Sequence, residues 1–293
     1  MNSKVKSFLE LVRLPNLFTA MADIMAAGWI VSGLNSHPFS IELVFLLLAS
    51  ALLYACGLIF NDYFDYEVDK KERPERPLPS GRISKQAALY LGLSLLPLAL
   101  LLAALVNMVS LVIAVVLTLF ILLYDRFAKH NYFYGPLTMG MCRLLNLLLG
   151  FSLVTDQLIE NWWISLISLV YIFTVTFLAR AEVGEGTYPV RVKVMATIVV
   201  LSSLAVLLIG DWDNFYISII AIFIFLIWTF KGIRLALKSP TAKYIRKAVG
   251  TCIVGLPLLV AALATPFGGL AGYLSVAVFM LASYLFTKLF AVT

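Results

Sequence analysis

Charge is what this chain has least of. Only 13% of its 293 residues are charged, against 62% that are apolar. An ordinary globular domain carries roughly a quarter of its residues as charge, so this composition excludes a soluble fold. Histidine is nearly absent: His37 and His130 lie in polar connecting segments and form no catalytic constellation. The three cysteines, Cys56, Cys142 and Cys252, sit in apolar stretches without metal-ligand spacing. They read as packing residues, which excludes a disulfide framework. No glycine-rich phosphate loop, nucleophile elbow or low-complexity run is present. Composition does not shift along the chain, so residues 1–293 read as one domain.

What remains is hydrophobic length. Apolar stretches fall at 16–34, 41–60, 86–106, 108–124, 136–154, 162–180, 191–209, 215–233, 247–264 and 269–289. Each is long enough to cross a hydrocarbon core of about 30 Å. The expectation is an all-α, polytopic membrane bundle of nine to ten helices. With the N-terminus in the cytoplasm, all 22 Lys and Arg residues fall on that side, the asymmetry of a positive-inside topology. The basic start precedes a stretch long enough to span, so it reads as an uncleaved first helix. The net charge of +6 then belongs to one membrane face. It suits anionic lipid headgroups or an anionic substrate, and nothing points to nucleic acid.

The most informative segment is NDYFDYEVDKKERPERPLPSG, closing the second apolar stretch. At roughly 100° per residue, Asn61, Asp62, Asp65 and Asp69 fall within one arc of about 100°, while Glu67 points away. Carboxylates gathered at the mouth of a span are costly unless a cation lies among them. Their oxygens suit Mg²⁺, which takes a few carboxylates together with phosphate oxygens of a substrate. Arg73, Arg76 and Arg82 follow, permanent cations whose planar forks match phosphate, in a loop stiffened by Pro74, Pro77 and Pro79. Three further hairpin ends are polar: LLYDRFAKHNYFYG, LARAEVGEGTYP and the basic stretch 231–247. Polar irregular backbone at membrane depth is tolerated around a cavity, so three of the four ends can roof a common pocket, with carboxylates of the first and third hairpins facing each other.

Other candidates follow from burial. Tyr124 and Lys129 close the fourth stretch; Lys129 is either a topology determinant or a diphosphate ligand. Arg143 and Asn146 lie one turn apart inside an apolar span and are candidates for catalysis with Asp65 and Asp69, since an intramembrane Arg normally faces the bundle interior. Asp23 shares a face with Asn16 and contacts either the acceptor, a cation or a neighbouring helix. Glu182 and Glu185, three residues apart, can hold a second Mg²⁺; Arg180 beside them is either a diphosphate ligand or the ion-pair partner of Glu182.

These residues resemble the UbiA superfamily of intramembrane prenyltransferases. NDYFDYEVD fits the first aspartate-rich pattern N-D-x-x-D-x-x-x-D, RPLPSGRIS follows directly, and RLPNLFTA and the Tyr124–Lys129 spacing are supporting matches. The resemblance covers the chain to about residue 210. It implies a bundle around a central cavity with a cytoplasmic cap, in a bacterial inner membrane. Mg²⁺ and an isoprenyl diphosphate would bind under that cap, with Asn61, Asp62, Asp65 and Asp69 on the metal and diphosphate. Arg73, Arg76, Tyr124 and Lys129 would neutralise the leaving group. The implied activity is transfer of a prenyl group to an aromatic or other lipophilic acceptor; the alternatives are a terpene cyclase of the same type, or a prenyl-lipid binding or transport component. Two features depart from the pattern. The second motif is usually D-x-x-x-D, where this chain offers Glu182 and Glu185, and the family usually has nine spans. The ending KLFAVT, the basic stretch after the eighth span and the ARAEV loop are similar to the UbiA-like protein of the bacterial Ebo gene cluster.

Overall fold

In the computed structural model, residues 3–32, 39–182, 187–210 and 212–289 are described. They contain helices and no strand. Two short helices lie at one end of the bundle, α1 (Ser3–Leu11) and α4 (Tyr66–Glu72). The long ones are α2 (Leu14–Ser32), α3 (Ile41–Phe64), α5 (Lys85–Val106), α6 (Met108–Leu123), α7 (Tyr134–Phe151), α9 (Ser165–Ala179), α10 (Pro189–Leu204), α11 (Phe215–Lys238) and α12 (Ala242–Leu289). A seven-residue α8 (Thr155–Asn161) leads into α9.

Eight helical segments are long and apolar enough to cross a membrane. Two features account for the distance from nine or ten. Helix α7 carries Arg143, Asn146 and three glycines and is not among the eight. Helix α12 counts as one segment of 46 residues although Gly269, at φ 53° and ψ −141°, breaks its helical path. That φ is left-handed, open to glycine and strained for other residues. Two helices meet there: Trp228 of α11 donates to the Thr251 carbonyl (3.1 Å) and lies against the Tyr284 ring (5.9 Å), so the chain turns back on itself near Gly269, in the gap between the last two apolar stretches.

Local signals start the helices where expected. The Ser40 hydroxyl accepts from the Leu43 amide (3.3 Å) and the Ser84 hydroxyl from the Ala87 amide (3.1 Å), capping α3 and α5. Asn107 turns α5 into α6: its side-chain oxygen accepts from the Ser110 amide (2.8 Å), and its amide donates to the Ser152 carbonyl (2.7 Å) at the end of α7.

Helix α2 lies at the centre. Ala22, Ile24, Ala26 and Ala27 are almost wholly buried against α3, α7 and α12. Contact with α7 is close enough that a Cβ on Gly150 would lie 2.4 Å from the Ala27 Cβ. The Trp29 indole donates to Ser275 of α12 (2.7 Å). Outside this core, α5 buries mainly its small residues Ala88, Gly92, Ala99 and Ala103, the pattern by which membrane helices approach closely. Its leucines 93, 98, 101 and 105 are exposed, as lipid-facing positions are. Cys56 and Cys252 are buried and Cys142 half-buried, and all three are free thiols.

Candidate active site

The first aspartate motif forms at the junction of α3 and α4. Helix α3 stops at Phe64, Asp65 occupies the joint (φ −84°, ψ 3°), and α4 starts at Tyr66. The helix is thus interrupted where it was expected to continue, yet the face survives. Asp62 and Asp69 are buried, Asn61 and Asp65 half-buried, and Glu67 exposed.

Every carboxylate on that face meets a cation. Arg13 Nη2 lies 2.7 Å from Asp62 Oδ1, and Arg76 Nη1 lies 3.5 Å from the same oxygen and 2.8 Å from Asp69 Oδ2. Lys129 Nζ lies 2.5 Å from Asp65 Oδ1. Arg13 reaches inward from the joint of α1 and α2 at a φ of 42°, a left-handed conformation uncommon for a residue with a side chain.

Arg76 is delivered by the RPERPLPSG loop, which folds as successive tight turns. The Ser80 amide and hydroxyl both donate to the Arg76 carbonyl (3.0 and 2.6 Å), and the Ile83 amide donates to Pro77 (3.1 Å). Leu78 anchors the loop in a small apolar cluster with Leu11, Ile59, Ile83 and Ala88. Arg82 pairs with Glu10 of α1 and donates to the Glu75 carbonyl (2.7 Å), which fastens α1 over the loop. Beneath this fastening lies a cavity of about 240 Å³ lined by Glu10, Arg13, Asp62, Glu75, Arg76 and Arg82.

The second wall comes from the end of α6, where Tyr124–Ala128 widens into a π turn and the Lys129 amide donates to the Tyr124 carbonyl (3.0 Å). Tyr124 opens this turn half-buried. Asp125 within it is 3% exposed and accepts from the Asn61 amide nitrogen (3.1 Å). Arg180, at the end of α9, donates to the Lys129 carbonyl and to Asn131 (3.4 Å). It thereby holds the π turn from the side. Gly135 permits this: a Cβ there would lie 2.2 Å from Arg180 Nη2.

Asn61, Asp62, Asp65, Asp69, Arg76 and Lys129 are therefore brought together, while Arg73 is exposed at the end of α4. Arg143 and Asn146 belong to a different cluster, roughly 14 Å further along α7 from its start at 1.5 Å per residue. There Arg143 Nη1 and Asn146 Nδ2 each lie 2.9 Å from Asp23 Oδ2. Thr19 accepts from Arg143 Nη2 (2.8 Å), and the Ser50 hydroxyl donates to Asn146 Oδ1 (2.7 Å). Of the alternatives for Asp23, the structure realises contact with a neighbouring helix. Glu185 and the Glu182 side chain lie outside the described residues. Two residues of the site escaped the sequence reading. Arg13 was counted only as a topology charge, although RLPN was noted, and Asp125 gave no signal because a helical reading does not reveal a π turn.

The acidic face presents hard oxygens, the chemistry Mg²⁺ selects. Among the described residues no three His, Cys, Asp or Glu side chains converge to hold a metal by themselves. Such a donor set fits a cation shared between one or two carboxylates and the oxygens of a diphosphate, and does not fit an all-protein cage.

The chain resembles known proteins in sequence and in fold. Residues 20–244 match the model of the UbiA prenyltransferase family. A digeranylgeranylglyceryl phosphate synthase of Saccharolobus solfataricus is 32% identical over 189 residues, 63% of this chain and 64% of that protein. The chain therefore spans just under two thirds of that relative's length. A UbiA homologue from Aeropyrum pernix superposes with a TM-score of 0.67 at 14% identity, over 84% of this chain and 96% of that one. A second, from Archaeoglobus fulgidus with dimethylallyl diphosphate and Mg²⁺ bound, gives 0.55 at 16% identity over 96% and 99%. At these identities the structural likeness speaks for the fold.

Proposed function

Since this chain belongs to the UbiA prenyltransferase family, we propose that it transfers a prenyl group from an isoprenyl diphosphate to a lipophilic acceptor within the membrane, in a Mg²⁺-dependent reaction. The observation that carries this reading is the gathering of Asp62, Asp65 and Asp69 with Arg13, Arg76 and Lys129 at one end of an apolar bundle. From the face of Asn61, Asp62, Asp65 and Asp69, one or two carboxylates would share Mg²⁺ with the diphosphate oxygens, and the ion would neutralise charge on the departing diphosphate. Arg76 and Lys129 donate to the diphosphate oxygens, whose charge grows as the allylic C–O bond breaks and its electron pair leaves with the oxygen. The acceptor's electron pair then forms the new bond to the allylic carbon, and the acceptor loses a proton. The apolar helices keep water from capturing the cation first. The charge asymmetry of the sequence supports placing this end, and the N-terminus, in the cytoplasm.

A second reading is binding or transport of a prenyl lipid without turnover, in the manner of a secondary-metabolite component like that of the Ebo cluster. Glu182 and Glu185, standing where the family pattern has aspartates, favour it. One experiment separates the two. Purified protein is given a panel of isoprenyl diphosphates with and without Mg²⁺, and diphosphate release is measured beside acceptor consumption. Mg²⁺-dependent release coupled to acceptor loss is expected. Release without an acceptor means cyclisation or hydrolysis, and tight binding without release means the second reading.

A further inference from the structure

Asp125 is the acid of this site that the aspartate motif does not contain. It lies on the π turn that ends α6, and its position there depends on the extra residue the turn accommodates. In an uninterrupted α-helix the Lys129 amide would bond the Asp125 carbonyl; here it bonds Tyr124, one residue earlier. The widened turn shifts the chain by one residue, about 100° of helical rotation. The outcome is a ladder of two rungs between α3 and the π turn. Asn61 faces Asp125 and, four residues on in both segments, Asp65 faces Lys129. π turns of this kind recur at functional sites.

The two oxygens of Asp125 are in different circumstances. Oδ1 accepts the Asn61 amide N–H. A carboxylate can only accept, so this bond fixes which way the Asn61 amide faces, its nitrogen toward Asp125 and its oxygen away. Oδ2 is buried and has no hydrogen-bond partner. A carboxylate oxygen buried without a donor costs stability. Asp23 also has one unpartnered oxygen, but its other oxygen holds a guanidinium and an amide. Asp125 has a single neutral donor.

On the reading of the site given above, we propose that Asp125 is a working carboxylate of the Mg²⁺–diphosphate site: Oδ1 orients Asn61 with its oxygen toward the cation, and Oδ2 supplies charge that the arriving cation satisfies. The cost of burying it is recovered when the cation binds. This gives a signature that a packing role lacks, because loss of the charge weakens Mg²⁺ binding without weakening the fold.

The test is binding of a non-ionising thiolo analogue of geranyl diphosphate, titrated with Mg²⁺ by calorimetry, beside the melting temperature of the ligand-free protein. Asp125→Asn keeps an acceptor for Asn61 and removes the charge. The Mg²⁺ concentration for half-maximal binding should rise at least tenfold, with the melting temperature unchanged or higher. Asp125→Ser serves as the second variant should the first not fold, and carries the same expectation for Mg²⁺. A Mg²⁺ requirement within twofold of wild type in either folded variant overturns the proposal and leaves the prenyl-diphosphate reading standing. Wild-type protein that binds the analogue without regard to Mg²⁺ overturns both.

Discussion

The Asp23–Arg143 pair permits a quantitative test, because both partners are buried and every hydrogen bond to them is identified. Arg143→Met removes the guanidinium and leaves Asp23, 0% exposed, with only the Asn146 amide. Breaking a buried ion pair from one side costs about 3–5 kcal/mol, since the remaining charge stays buried. Asp23→Leu is milder. Arg143 keeps its bonds to the Thr19 carbonyl and hydroxyl and its place near the Tyr54 ring, so about 1.5–3 kcal/mol is expected as Arg143 and Asn146 each lose one hydrogen bond to the carboxylate. Making both changes removes both charges. Asn146 keeps the Ala20 carbonyl (3.0 Å) and Ser50, and apolar replacement of a whole buried pair is often neutral. The double variant should fall within about 1 kcal/mol of wild type, a coupling of at least about 3.5 kcal/mol. Equilibrium unfolding in mixed micelles, run on all four proteins, measures it. Single losses below about 1 kcal/mol, the usual scale of a bilayer hydrogen bond, or losses that simply add, would refute the reasoning. A double variant that folds but no longer turns over would place Arg143 or Asp23 in the reaction, the role the sequence suggested for Arg143.

Asp65→Ala should abolish Mg²⁺-dependent binding of a prenyl diphosphate while Glu67→Ala leaves it near wild type; equal losses in a binding titration would end the argument from the carboxylate face. At position 13, the left-handed backbone makes Gly a better replacement than Ala by about 1 kcal/mol, so the two variants, alike in losing the Asp62 ion pair, should differ in melting temperature in that order. Replacing Glu182 and Glu185 together by Gln should lower diphosphate affinity at least tenfold if they hold a second cation. Unchanged affinity would leave the first motif as the sole metal site.

The first motif was the most legible part of the molecule. Asn61, Asp62, Asp65 and Asp69 recur on one helical face, and helical geometry alone separates them from Glu67; even the break at Asp65 does not disturb that order. The apolar stretches were equally plain, because hydrophobic length is a local property. Partnerships were not legible. Arg13 meets Asp62 across 49 positions of sequence and Asp23 meets Arg143 across 120, and nothing in a single sequence records which faces of α2, α3 and α7 pack together. Arg76 and Arg73 looked equivalent in RPERP, and only the turns after Pro77 bury one and leave the other in solvent. Asp125 was hidden differently: its inward position comes from one i→i+5 hydrogen bond, to which residue periodicity is blind.

The site carries its own counter-ions, and this bears on the order in which charged ligands can bind. Arg13, Arg76 and Lys129 occupy the positive side of the electrostatic balance before any ligand arrives. Loading is therefore an exchange of ions. A divalent cation arriving alone must compete with tethered cations of high local concentration, and a diphosphate arriving alone meets arginines and a lysine already engaged by carboxylates. When the two arrive together, the acids turn to the metal and the released basic groups turn to the phosphates, so each ligand removes the obstacle to the other. Their affinities are then coupled, and by linkage the coupling is the same in both directions. On the proposed function, Mg²⁺ and a prenyl diphosphate would accordingly enter as one unit, and neither would load far without the other.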